Sequence, residues 1–316
     1  MDMESLQLRN CAPEDLFGVV DSTQMEQRFL PGGVLEVDID RVYLGHAVVQ
    51  RGRYGMGVLA RGAWPDGHVC LGFVRNTPSH ATVNGFLCPT MSLQLYSEGT
   101  EVSYRAPPGS TWFAYCVKRD TLQEAVTTLY DEPLPIPQSG SVSACLAPLS
   151  KRRLADCIDD LFIAASGSPA ESSYQQIRAL ETRMLYEAAR AVVQIDRRSA
   201  TTTRRHAANR RRLIAQAEDY LRANIAEPFV LGQCARAIGC SERMLERHFR
   251  AIYGVAPGAW FRCMKLEAVR RDLRYAGRRS ANISDIAANW GFTHFGRFSV
   301  EYRRLFGETP SESLRK

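Results

Sequence analysis

The chain has 316 residues, 45% of them hydrophobic, with 40 Lys and Arg against 34 Asp and Glu and a net charge of +6. That length accommodates two ordinary domains, and a hydrophobic content near the globular average excludes wholesale disorder. No apolar run approaches the roughly 20 residues of a membrane span, and the start MDMESLQLRN lacks an apolar signal-peptide core, so a soluble cytoplasmic protein with no membrane partner is expected.

The charge is unevenly placed. Residues 204–316 hold 22 Lys and Arg against 11 Asp and Glu, a net +11, whereas residues 1–203 hold 18 against 23, a net −5. A basic C-terminal part behind an acidic N-terminal part predicts that one end meets a polyanion and the other does not. The nine cysteines are scattered, odd in number and never spaced CxxC, which reads as reduced, mostly buried thiols and not as a disulfide frame or a zinc site.

In chain order, residues 1–30 are weakly patterned, consistent with a short helix or an entry strand. From Gly32 to about Leu122, short runs rich in Val, Leu, Tyr and Phe (VLEVDIDRVYL, HAVVQR, GMGVLA, HVCLGFV, ATVNGFL, MSLQLY, EVSYRA, TWFAYCV) alternate with Gly, Pro, Asn and Asp. Their spacing predicts a β-sandwich or barrel. Asn84-Gly85 signals a hairpin, and Pro107-Pro108-Gly109 separates the last two strands. His46, His68 and His80 stand singly, without the close spacing by which ligands converge on an ion, so no metal, cofactor or catalytic residue is assigned. Trp64, Tyr96, Tyr104, Trp112 and Phe113 suit either a plain core or the lining of a ligand pocket.

After the stretch 129–137 the pattern turns helical. Leu154, Cys157, Ile158, Leu161 and Phe162 mark one helix over 148–165, and Ile177, Leu180, Met184, Leu185, Ala188 and Val192 mark a second over about 172–196. This pair suits a homodimer interface or packing on the β-domain. The arginine-rich run 197–212 has almost no apolar residues and reads as a flexible linker, with phosphate contact as the alternative. A helix over 213–224 follows, with Ile214, Ala217, Tyr220 and Leu221 facing inward.

Residues 229–307 then carry one pattern twice. Each copy has a short helix with a small residue, a glycine four positions on (Ala235 and Gly239; Ala287 and Gly291), a polar cap, and a longer basic helix that stops at a glycine (Gly254; Gly307). That is how a helix-turn-helix is written: the small residue admits a close crossing and the glycine a sharp turn. Ser241 caps the first long helix, and Thr293 or His294 the second. Between the copies, Pro257 to Leu273 places Trp260, Phe261, Met264, Leu266, Val269 and Leu273 on one stripe of a connector helix. About seventeen helical residues span roughly 25 Å, a separation that suits two reading helices about one turn of DNA apart.

These residues resemble the AraC/XylS transcription regulators: AxxxGxSERxLxRxFR from Ala235 to Arg250, the connector with Lys265, Leu266 and Leu273, IAxxWGF from Ile286 to Phe292, and FSxxYRRLFGETPS from Phe298 to Ser311. The resemblance implies an α+β multidomain chain: a β-rich, cupin-like effector domain over 1–146, a helical pair over 147–196, a linker over 197–211, and an all-α DNA-binding domain over 212–316. It implies activation through RNA polymerase at double-stranded promoter DNA, with a small-molecule effector of unknown kind; a second copy of the chain is the partner the helical pair suggests. Matching the motif position by position makes Arg243, Glu246 and Arg247 the groove-facing set, with Met244, Leu245, His248 and Phe249 toward the core. Arginine suits guanine O6/N7 and glutamate accepts from cytosine N4. Arg250 is placed on phosphate. The alternative for Glu246 is an ion pair along its own helix with Arg243 or Arg250.

The second reading helix departs from the family pattern. Val300 stands where an arginine often follows FS, and Gly296 lies near the tip. His294, Arg297 and Ser299 remain as polar readers, Val300 can touch a thymine methyl, and Arg303 and Arg304, with Arg297, are placed on the backbone. Val230 and Gly232 occupy positions where a capping residue and a good helix former are usual, a loss of about 1 kcal/mol. Two competing functions are weighed. An alkyl-transferring repair enzyme needs a nucleophilic cysteine in a motif such as PCHR, which the chain lacks. A regulator whose N-terminal domain only dimerises or binds a protein remains the alternative to effector sensing.

Overall fold

Period-two patterning builds the N-terminal half. Leu35, Val37 and Ile39 are buried, while Glu36, Asp38 and Asp40 between and after them are not, as the alternating sides of a pleated strand require. The computed structural model describes residues 2–9, 11, 13–16, 20, 23, 25–90, 92–136, 140–166, 174–195, 204–276 and 282–315. Its strands are β1 (Asp2–Arg9), β2 (Glu26–Tyr43), β3 (Ala47–Ala63), β4 (His68–Asn76), β5 (Ala81–Val83), β6 (Phe86–Cys88), β7 (Ser92–Tyr96), β8 (Glu101–Ala106), β9 (Ser110–Lys118) and, after helix α1 (Arg119–Tyr130), β10 (Ser141–Cys145). They run β10-β7-β4-β9-β3-β8-β5-β6, with β2 pairing β1 and β3.

This sheet curls into a nearly closed barrel because β3 changes partner along its length. It pairs β9 over Ala47–Tyr54 and β8 over Val58–Ala63. Register shifts in β2 around Gly33 accompany the bend. Gly33 has φ +85°, and a Cβ there would lie 2.0 Å from the Gly55 carbonyl oxygen, so only glycine permits the approach. The expected hairpin is present, with Asn84 at φ 54° and Gly85 at φ 78° between β5 and β6.

Some elements differ from the sequence reading. HAVVQR and GMGVLA are one bent strand, since the glycines between them curve β3 instead of ending it. Residues 2–9 form β1, and 141–145 form β10, both at the ends of pairing paths. α1 was not anticipated: it starts directly after β9 with no turn residue to announce it, and buries only Leu122, Ala125 and Val126.

α2 (Pro148–Ser166) and α3 (Tyr174–Val193) lie where expected. Their buried residues, among them Leu154, Phe162, Met184 and Val192, join one cluster with Val49, Leu71, Leu95 and Tyr115 of the sheet. The inward stripe of the pair is therefore occupied by the barrel, while Leu149 and Ile163 stay exposed.

The remaining helices are α4 (Arg204–Ala223), α5 (Leu231–Ala237), α6 (Glu242–Tyr253), α7 (Pro257–Ala276), α8 (Ile283–Asn289), α9 (Phe295–Phe306) and α10 (Pro310–Arg315). The expected linker is corrected here. Its residues 204–211 are the first turns of α4, because Arg and Ala are good helix formers and the packed half of the helix, with Ile214, Ala217 and Leu221 buried, propagates backward through them. Residues 197–203 of that linker lie outside the described residues. Among the described residues no helix is long and apolar enough to cross a membrane.

The helical part is docked on the barrel. Cys263, Leu266, Val269 and Leu273 of α7 share a core with Val37, Ile39 and Met56, and Leu30 and Leu59 join the cluster of α4 and α6. Buried charges fix the docking. Glu267 accepts from the Phe29 amide at 3.1 Å and from Arg28 at 2.8 Å, Glu218 accepts from Arg61 and Tyr253, and Arg270 pairs with Glu308 at 2.9 Å and donates to the Cys11 carbonyl. The sequence stripe found only one apolar side of α7; Glu267 and Arg270 are buried too, where they reach Arg28, Phe29 and Cys11, and Lys265 is buried where it donates to the Ala226 and Glu227 carbonyls. All nine cysteines are free thiols, Cys145 exposed and seven buried, with Cys240 between.

Candidate nucleic-acid interface

α6 is fixed by its own sequence. The Ser241 hydroxyl accepts from the Met244 amide at 3.2 Å, and Gly254 ends the helix in the left-handed region at φ 72°. Leu245, Phe249, Ile252 and Tyr253 are buried. Trp260 of α7 stacks on Tyr253 with centroids 5.4 Å apart and meets Phe249 edge-on at 5.7 Å, which locks the rotation of α6 about its axis.

That rotation decides what α6 presents. Arg243, Arg247 and Arg250 are exposed and Glu246 is half-buried. Among the described residues none of these four makes an ion pair, so Glu246 is not held by Arg243 or Arg250. The core side differs in detail from the sequence reading. Met244 is 37% exposed and His248 half-buried, because both face a cleft against Asn209, Arg210 and Leu213 of α4 and not the interior. The imidazole pKa of His248 is lowered by burial first, then by Arg210 and Arg247.

The second helix pair repeats the first in its backbone. The Cys240 amide donates to Ala235 O at 3.0 Å and the Phe292 amide to Ala287 O at 3.0 Å; Gly239 and Gly291 have φ 69° and 78°. Phe249, Ile252, Tyr253 and Gly254 recur in register as Tyr302, Leu305, Phe306 and Gly307. In that register Arg243, Glu246, Arg247 and Arg250 correspond to Gly296, Ser299, Val300 and Arg303. The scaffold is duplicated and the polar equipment is not.

On α9, Ser299, Arg303 and Arg304 are exposed and Val300 is 69% exposed. His294 is the exposed N-cap residue but makes no side-chain cap bond, and Thr293 does not replace it. Arg297 is not a free side chain: it donates to Glu301 at 2.9 Å. Arg262 of α7 grips the same carboxylate at 2.8 and 2.9 Å. Burial alone would raise the Glu301 pKa, but the bonds from Arg297 and Arg262 outweigh it and hold the pKa low. Arg262 was missed in the sequence, though its place opposite the Trp260, Phe261 and Met264 stripe was a readable signal of exposure.

The start of α5 is bare as expected: Val230 is extended at the N-cap and offers no side-chain bond.

Residues 234–316 match a helix-turn-helix domain family. The chain is similar to the probable thc operon regulatory protein of Rhodococcus erythropolis, 38% identical over 103 residues that make up 33% of this chain and 31% of that one. It is also similar to the XylDLEGF operon transcriptional activator of Pseudomonas putida, 35% identical over 105 residues, 33% of this chain and 32% of that one. Among solved structures, an AraC-type transcriptional regulator from Chromobacterium violaceum is 31% identical over 34% of this chain and 93% of its own, with a TM-score of 0.31. The matched segment thus spans about a third of the length of these curated relatives.

Proposed function

Through its C-terminal domain the chain belongs to the AraC/XylS family of helix-turn-helix regulators, and from that premise we propose that it is a sequence-specific promoter-binding activator governed by a small molecule held in its barrel. Both helix pairs act as reading motifs, joined by α7. The observation that carries this reading is the outward side of α6, where three arginines without ion-pair partners among the described residues flank one glutamate.

Arg243 and Arg247 read guanine O6/N7, and Glu246 accepts from cytosine N4. Arg250 neutralises phosphate. α9 contributes mainly backbone contact through Arg303 and Arg304, with Arg297 partly drawn back by Glu301; His294 and Ser299 add polar contacts, and Val300 packs on a thymine methyl. The activating sign is taken from the Pseudomonas putida relative, which is named as a transcriptional activator. RNA polymerase and a second copy of the chain are the proposed protein partners, and Leu149 and Ile163 on α2 are free to contribute to a dimer.

The test is a binding-site selection with the full chain, repeated over a metabolite library. Enrichment of a defined operator, with an affinity that shifts with at least one compound, is the expected result. Sequence-independent binding that no compound changes overturns the reading.

A further inference from the structure

Deepening the effector-sensing reading above, we infer that the barrel cavity takes a compact, neutral, single-ring aromatic molecule that carries a hydrogen-bond acceptor, and that it excludes carboxylates. The partly open cavity offers about 70 Å³ measured by the space open to the centre of a water molecule. A single water needs roughly 10–15 Å³ by that measure, so there is room for several waters or one ring. Met25, Trp64, Tyr96, Val102, Tyr104 and Trp112 form much of its wall.

Two features of that wall set the ligand class. Among the described residues the lining holds no Lys, Arg or His, and no acid either. A carboxylate moved from water into such a site loses its hydration with no cation to replace it. Second, Trp64 is only 7% exposed, and its buried Nε1 has no hydrogen-bond partner; the buried Tyr104 hydroxyl has none. Buried donors left unmatched are costly, and a ligand carbonyl is what they lack. Trp64 and Tyr96 already pack ring against ring at 5.5 Å, so the wall offers flat faces to an aromatic guest.

The wall is also connected to the reader. Met25 lines the cavity one residue before β2 begins, and Arg28 and Phe29 three and four residues on hold Glu267 of α7. Occupancy is therefore placed to act on the helix that joins the two reading motifs.

The probes are acetophenone, its near-isosteric anion benzoate, and ethylbenzene, which lacks an acceptor. Each is titrated into the full-length protein and followed by tryptophan fluorescence and thermal shift. Acetophenone should bind saturably, at least tenfold tighter than benzoate. Trp64→Phe keeps an aromatic wall and removes one donor; it should weaken acetophenone by about three- to tenfold and leave ethylbenzene unchanged. Equal or tighter binding of benzoate overturns the inference, as does a Trp64→Phe protein whose acetophenone affinity is unaltered, or failure of all three probes to bind. Each of those outcomes leaves the effector reading standing if any library compound still shifts operator affinity, and only the absence of such a shift removes it.

Discussion

The three arginines on the outward side of α6 are expected to do different work. Arg243 and Arg247 are proposed to face base edges, so replacing either with Ala should cost about 1–3 kcal/mol on the preferred operator and relax preference at one position. Arg250→Ala should weaken all sequences alike and reduce by about one the slope of log affinity against log salt between about 50 mM and about 200 mM. Competition gel shifts on operator and scrambled duplexes separate the two behaviours; a uniform loss from Arg243→Ala contradicts the assignment. Histidines make a second claim at this scale. Burial is the main cause lowering the pKa of both His46 and His248 from 6.5; Glu181 opposes it and Arg178 adds at His46, and Arg210 and Arg247 add at His248. As pH falls through the ordinary histidine range, the unfolded chain takes up protons that the folded chain refuses. Stability is therefore complete above that range and declines below it. The melting temperature should fall between about pH 7.5 and about pH 5.5, and fall less in a His46→Asn/His248→Asn variant. An equal fall in both proteins contradicts this.

Elements with local signals could be read from the chain; those defined by tertiary contact could not. α6 was legible to the residue because Ser241 and Gly254 punctuate it, and the Asn84-Gly85 hairpin because its turn chemistry is specific. α7 was read as half of what it is. Its apolar stripe was visible, but Glu267 and Arg270 look like solvent-facing charges until Arg28, Cys11 and Glu308 are brought to them from distant parts of the chain. The Arg297–Glu301 pair is local, four residues apart on α9, but the second grip on that carboxylate comes from Arg262 on another helix and was hidden in the same way. Two substitutions test elements directly. Val230 is extended, exposed and without a cap bond, so Val230→Ser should stabilise the chain by about 0.5–1 kcal/mol in urea titration; a loss of stability contradicts the assigned N-cap. Glu267→Gln keeps an acceptor for the Phe29 amide but removes the charge facing Arg28, and should cost about 2 kcal/mol. No cost would mean that the docking ion pair carries no specific role.

On the scale of the whole molecule, barrel and helical domain share their cores. Phe29 and Ile39 belong to one cluster with Leu266, Val269 and Tyr302, and Leu30 and Leu59 to another with Phe249 and Trp260. Two bodies joined by a slack tether would unfold separately; this arrangement should give coincident transitions by far-UV circular dichroism and tryptophan fluorescence. Coupling of that kind would also give the proposed barrel ligand a route to the helical domain without touching DNA. The uneven charge along the chain separates a basic end from an acidic one, but gives no sign that the acidic end grips the basic one through buried ion pairs.

The central claim is that one outward side, that of α6, carries the discrimination between DNA sequences. It is tested most directly by binding-site selection on the wild type, Arg243→Ala/Arg247→Ala, and Ser299→Ala/Val300→Ala. The account predicts that the first pair of changes erases most of the enriched motif while the second leaves its stronger half-site intact. Retention of the full motif by Arg243→Ala/Arg247→Ala, with its loss in the α9 variant, would contradict it.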